Sequence, residues 1–205
     1  MPNISRKTIV EGTVILVFWT IGIYILIFTE ARWIPSGAME PTLHGTPNQW
    51  EANKIIVDKL KYTFADPQRG DIVVFSPTKE LQKEQYYDAF IKRVIGLPGE
   101  QVQIRDGKVY INNKPLPEGN YLSSGKSTVI DVCQSGPQPP FLEKSQTIPD
   151  DSYLVLGDNR NNSYDGRCWG VVPRQNIIGR AVLRFWPLND VGGIDKVPPY
   201  PQTTP

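Results

Sequence analysis

Residues 12–29 of this chain (GTVILVFWTIGIYILIFT) carry no charged side chain, and nothing else in the sequence limits the fold as much. A membrane-spanning helix needs roughly 18 to 20 apolar residues at about 1.5 Å of rise each, and this run is just long enough. Arg6 and Lys7 precede it, so the positive-inside rule puts residues 1–11 in the cytoplasm and the rest of the chain across the membrane. A cleavable signal peptide would have a shorter apolar core and a small-residue cleavage site; here the run is too long and Thr29-Glu30-Ala31 is a poor site. The expectation is one transmembrane anchor over 12–29 and an outer domain over 30–196.

Past residue 30 the pattern becomes that of strands. IIV at 55–57, IVVF at 72–75, YLVL at 153–156 and AVLRFW at 181–186 are short, branched or aromatic runs bounded mostly by Gly, Pro, Asp and Asn. Asp106-Gly107 between alternating apolar residues predicts a tight hairpin over 102–111. With no long amphipathic helix between these runs, the outer domain is expected to be mostly β, with antiparallel sheets. The stretch 119–141 is rich in Ser, Gly and Pro and reads as surface loop, within a variable region of about 114–148; the tail 197–205 (VPPYPQTTP) is too proline-rich for a sheet. A net charge of +1 argues against nucleic acid as the main partner and favours a neutral ligand or a peptide.

Three stretches carry chemistry. Two prolines, a glycine and a hydroxyl at Ser36 make 34–43 (IPSGAMEPTL) a rigid turn that can aim backbone donors at a ligand; the plain alternative is a tight loop joining anchor to domain. The second is 90–100 (FIKRVIGLPGE). Neighbours on a strand point to opposite faces, so Lys92 and Arg93 do not share one environment. An inward Lys92 between Phe90 and Val94 would be desolvated and partly neutral near pH 7, fit to act as a base; an ordinary solvent-facing lysine is the other reading. The third, 157–167 (GDNRNNSYDGR), is dense in Asn, Asp and Gly, and places Ser163, Asp165 and Arg167 at alternate positions. A calcium loop would need a closing acidic residue and flanking helices, which are missing. GDIVVF at 70–75 reads as a turn feeding a core strand, and His44, the single histidine, lacks the partners for a triad or a zinc site.

PSGAMEPTL, GDIVVF, IKRVIGLPGE and GDNRNNSYDGR, in this order after an apolar N-terminal run, resemble the successive boxes of the type I signal peptidases, or leader peptidases. The resemblance runs from residue 34 to residue 167 and implies a signal-peptidase-like, mostly antiparallel β fold. It also implies removal of signal peptides from exported preproteins by a Ser/Lys dyad, without metal or cofactor. Carried over residue by residue, Lys92 is the general base, Ser36 helps form the oxyanion hole and Ser163 orients the lysine. Asp158, Asp165, Arg167 and Arg93 brace the site. Ile34, Met39, Leu43, Phe90 and Ile91 line shallow pockets for small side chains at the −1 and −3 positions of the substrate. Membrane lipid is an implied partner, as is the export translocon; the implied location is the periplasmic, extracytoplasmic or thylakoid-lumen face.

One position departs from the pattern. Where the family has its nucleophilic serine this chain has Ala38, and a methyl group cannot attack a carbonyl. The chain as written is therefore expected to be inactive. An engineered Ser→Ala change in an otherwise intact enzyme is one explanation; a natural pseudo-peptidase that binds signal peptides is the other. A self-cleaving Ser/Lys protease of the repressor type shares the chemistry, but a DNA-binding domain should stand where this chain has its apolar run. Cys133 and Cys168 are the only cysteines. In an oxidising compartment they are candidates for a disulfide tying the Ser/Gly/Pro-rich loop to the end of the 157–167 stretch, with two free thiols as the alternative.

Overall fold

The computed structural model describes residues 6–122, 126–133 and 139–194. The chain opens with helix α1, Arg6–Phe28, whose described apolar side chains, Phe18 and Trp19 among them, face outward. The helix takes in the charged Arg6, Lys7 and Glu11, and it ends one residue before the uncharged run does because Thr29 pairs into the first strand. Among the described residues no helix is long and apolar enough to cross a membrane. A helix therefore stands where the transmembrane anchor was expected over 12–29, without the length and apolarity of a span among its described residues.

Among the described residues twelve strands follow, all paired antiparallel. They are β1 (Thr29–Trp33), β2 (Lys54–Asp58), β3 (Ile72–Phe75), β4 (Phe90–Gly96), β5 (Gln101–Arg105), β6 (Lys108–Ile111), β7 (Lys114–Pro115), β8 (Gln146–Thr147), β9 (Ser152–Leu156), β10 (Val172–Pro173), β11 (Ile177–Trp186) and β12 (Gly192–Gly193). The larger sheet runs β1-β2-β11-β3-β4-β9-β10, with β12 added to β11; the smaller runs β7-β6-β5-β8. The short helices α2 (Lys61–Phe64), α3 (Lys79–Lys83) and α4 (Gly166–Trp169) lie between strands. The fold is mostly β, as the branched, turn-bounded runs require. At the β5–β6 hairpin both Asp106 and Gly107 have positive φ, the geometry an Asp-Gly turn supplies without strain. Strands β7 and β8 fall in the region read as loop, and the tail 197–205 lies outside the described residues.

The larger sheet is covered on both faces around β3, β4 and β9: β3 and β9 are buried at every position, and β4 from Lys92 onward. In β3, Val73 and Phe75 join Val94, Val155 and Trp169 on one side, while Ile72 and Val74 join Ile34, Met39, Leu43 and Ile55 on the other. From β9, Leu154 and Leu156 reach a third cluster shared with Val102, Val109 and Ile111 of the smaller sheet. A charged side chain on β4 therefore meets protein on whichever face it takes.

Candidate active site

Strands β1 and β2 pair with Trp33 opposite Lys54, so the connection 34–53 leaves and returns at one point on the sheet edge. Within it Ser36 is extended and exposed, and Gly37–Met39 makes a single 3-10 turn with Ala38 buried. Two bonds from Asn159 hold that turn: its backbone N–H donates to Ala38 O at 3.1 Å and its side-chain amide to Gly37 O at 3.0 Å. Gly157 lies beneath. A Cβ there would stand 2.1 Å from Ser163 Oγ and 2.5 Å from Ala38 O, so only glycine lets the two loops meet.

Strand β4 packs against this turn. Lys92 is 4 % exposed and shares a strand face with Phe90, its Nζ 5.7 Å from the Phe90 ring centre and donating to Ile91 O at 3.0 Å. Burial pulls its pKa down from 10.5 to about 8, against the opposing influence of Asp165 and Asp158. Arg93 is buried too, on the other face. It meets Asp158 through two bonds of 2.8 and 2.6 Å, donates to Gly70 O at 2.8 Å, and stacks 4.4 Å from the centre of the Tyr121 ring. Thr42 Oγ1 donates to Asp158 Oδ2 at 2.5 Å, which ties this pair to the Ala38 loop. Strand alternation separates the two cations, but the sheet has no solvent face here for either.

The 157–167 loop brings its alternate residues Ser163, Asp165 and Arg167 together by turning back on itself. It folds through a 3-10 turn at Arg160–Asn162 into α4, capped by Asp165, which brings Arg167 back onto Asp165 at 2.8 and 2.9 Å. Gly157 N–H also donates to Asp165 at 2.9 Å. Burial raises the Asp165 pKa, but the charge and hydrogen bonds of Arg167, the Gly157 amide and Lys92 outweigh it, and the net shift is downward. Arg167 further donates to Ser163 O at 3.1 Å and to Val129 O at 2.7 Å. Ser163 Oγ is buried with no hydrogen-bond partner among the described residues. Cys133 and Cys168 are joined in a disulfide next to this ion pair.

A groove of about 440 Å³ opens between β1 and the start of β4, lined by Glu30, Ile34, Val74, Ala89, Phe90 and Ile91 among others. Of the five candidate pocket residues, Ile34, Phe90 and Ile91 reach it; Met39 and Leu43 are fully buried in the cluster with Ile34. Sequence reasoning passed over several residues that build the site. Arg160 is buried, donating to Gly157 O at 3.0 Å and to Thr128 Oγ1 at 2.5 Å, and pairing with Glu118. Glu118 also accepts from the Tyr121 hydroxyl at 2.5 Å. Among the described residues no cluster of His, Cys, Asp and Glu could hold a metal ion. A buried amine of lowered pKa, a serine hydroxyl and a donor-rich turn can together move a proton and stabilise an oxyanion.

A family model described as signal peptidase, peptidase S26, matches residues 6–186. This chain belongs to that family. It is 46 % identical over 187 residues to "Probable signal peptidase I-2" of Synechocystis sp., covering 91 % of this chain and 74 % of the relative. It is 51 % identical over 174 residues to "Signal peptidase I" of Leptolyngbya laminosa, covering 83 % and 75 %. "Thylakoidal processing peptidase 1, chloroplastic" of Arabidopsis thaliana is 34 % identical over 167 residues, 79 % of this chain and 43 % of the relative. In this signal peptidase family member, Ala38, Lys92 and the pair Gly157 and Ser163 come from three separate stretches that the larger sheet draws together.

Proposed function

We propose that this chain has the scaffold of a type I signal peptidase, an enzyme that removes signal peptides with small residues at −1 and −3 from exported preproteins, and that it is inactive because Ala38 stands in place of the nucleophile. The observation that carries the reading is Lys92: a lysine 4 % exposed, with a pKa lowered to about 8, on the strand packed against residue 38. With serine at 38, the neutral amine takes the hydroxyl proton, and the oxygen attacks the scissile carbonyl. The Ser36 hydroxyl and backbone N–H groups of the turn stabilise the oxyanion, and Lys92 returns the proton to the leaving amine. Water then releases the acyl group. Ser163 orients Lys92, while the Arg93–Asp158 and Arg167–Asp165 pairs hold the two loops. Ile34, Phe90 and Ile91 accept the small side chains in the groove, over a floor of Met39 and Leu43.

In this reading α1 is a membrane anchor with Arg6 and Lys7 on the cytoplasmic side, and the β domain works on the periplasmic or thylakoid-lumen face, in contact with lipid and the export translocon. The outward apolar side chains of α1 support it. Ala38 itself favours a second reading, a pseudo-peptidase that binds signal peptides without cutting them. Cleavage of a preprotein with an Ala-x-Ala site, in detergent, separates the two. Ala38→Ser should cleave, and adding Lys92→Ala should abolish cleavage. An Ala38→Ser protein that binds but does not cut sinks the catalytic reading.

A further inference from the structure

Asn159 and Asp158 hold the 34–53 connection at its middle, and its two ends are closed at Asn53. We propose that Asn53 is a positioning residue for this turn, clamping its two ends together through its peptide and its side-chain oxygen. Asn53 stands just before β2 and is 2 % exposed. On one side its carbonyl accepts from Ile34 N–H at 3.0 Å, extending the β1–β2 ladder by one step into the turn. On the other, its N–H donates to His44 O at 2.9 Å, and His44 N–H donates to Asn53 Oδ1 at 2.7 Å. The side-chain amide thus imitates a second strand for His44, while Nδ2 donates more loosely to Trp186 O at 3.3 Å.

The consequence lies at Ser36. With Ile34 and His44 held by the same residue, the two limbs of the turn press together. Thr46 N–H donates to Ile34 O at 3.2 Å, and a Cβ on Gly45 would lie 1.8 Å from Ser36 O. The limbs have no slack, so the position of the Ser36 hydroxyl and of residue 38 follows from the clamp. Release of Oδ1 lets the His44 limb swing and shifts the reacting group, and a misplacement of about 1 Å can cost about 10²-fold in rate. The catalytic half of this inference rests on the reading above; the conformational half does not.

The test compares Asn53→Leu, similar in size but without the acceptor, with Asn53→Asp, which keeps it and, in the neutral form that burial favours, puts an O–H where the looser Nδ2 donor stood. In this chain, hydrogen exchange of peptides over 34–46 should quicken about tenfold or more in Asn53→Leu and stay near the parent rate in Asn53→Asp. Unchanged exchange in Asn53→Leu overturns the proposal. So does quickening spread evenly over β3, β4 and β9, which would make Asn53 a general fold determinant. In the Ala38→Ser background, Asn53→Leu should lower kcat about 10²-fold, with KM and the pH midpoint of activity little changed, because neither the groove nor Lys92 is touched. A loss in KM alone, or an equal loss in Asn53→Asp, overturns it as well. If Ala38→Ser itself does not cleave, the dyad reading fails, and the exchange measurement still decides whether Asn53 holds the turn.

Discussion

With serine placed at position 38, the pH at which cleavage begins reports the surroundings of Lys92. Burial lowers its pKa from 10.5 to about 8, while Asp165 and Asp158 pull the other way. At pH 7 an amine of pKa 8 is neutral in about one molecule in ten, and one of pKa 10.5 in about one in three thousand, so the pocket supplies about 300-fold more base. The assay is kcat/KM of Ala38→Ser on a preprotein between about pH 6 and 10, expected to rise about tenfold per unit and to bend near 8. Adding Asp165→Asn checks the sign: Asp165 raises the Lys92 pKa, so its loss moves the bend to lower pH. A bend near 10.5, or one that moves upward in Asp165→Asn, refutes the reasoning. Stability carries the same signature. The folded pKa lies below the unfolded one, so the penalty of burying the ammonium is complete below about pH 8 and is relieved as pH rises toward 10.5. At about 1.4 kcal/mol per unit this is roughly 3 kcal/mol. Lys92→Met should be more stable at pH 7 by that order, and should lose this group's share of the rise at alkaline pH.

Asp158→Asn leaves the buried Arg93 without its carboxylate and should cost about 3–5 kcal/mol in denaturant unfolding; a cost under about 1 kcal/mol would mean the guanidinium finds another partner. Replacing Cys133 and Cys168 together by serine removes a cross-link spanning 35 residues, which chain entropy puts at about 4 kcal/mol, read as a lowered Tm under oxidising conditions only. Gly157→Ala drives a methyl into Ser163 Oγ and the Ala38 carbonyl, and should abolish cleavage in the Ala38→Ser background; full activity would show that the two loops are not in contact.

The strands were legible because branched residues bounded by Gly, Pro and Asp have few other options, and the Asp106-Gly107 turn because its backbone demand is local. The burial of both Lys92 and Arg93 was not, since it depends on Asp158, some 65 residues from Arg93, on the smaller sheet's cluster over the Arg93 face and on the Val73 and Trp169 cluster over the Lys92 face. Glu118 stood in a segment whose composition says only loop, and its use became visible once Arg160 was folded beside it. Asn53 left no pattern at all: its partners are main-chain atoms of Ile34 and His44, and any residue supplies those. The helix was plain from its lack of charge, but where it stops depended on Thr29 pairing with Asp58.

Lys92 and Arg93 are consecutive residues facing opposite sides of one strand, and both counter-charges, Asp165 and Asp158, come from a single loop that straddles the sheet. The strand is therefore locked in frame. Inserting or deleting one residue in β4 ahead of Lys92 would exchange amine for guanidinium on both faces at once, and compensating for it would require moving two carboxylates seven positions apart. A single-residue change in the length of β4 therefore breaks both pairings together, whereas the same change in a surface connection leaves them in place.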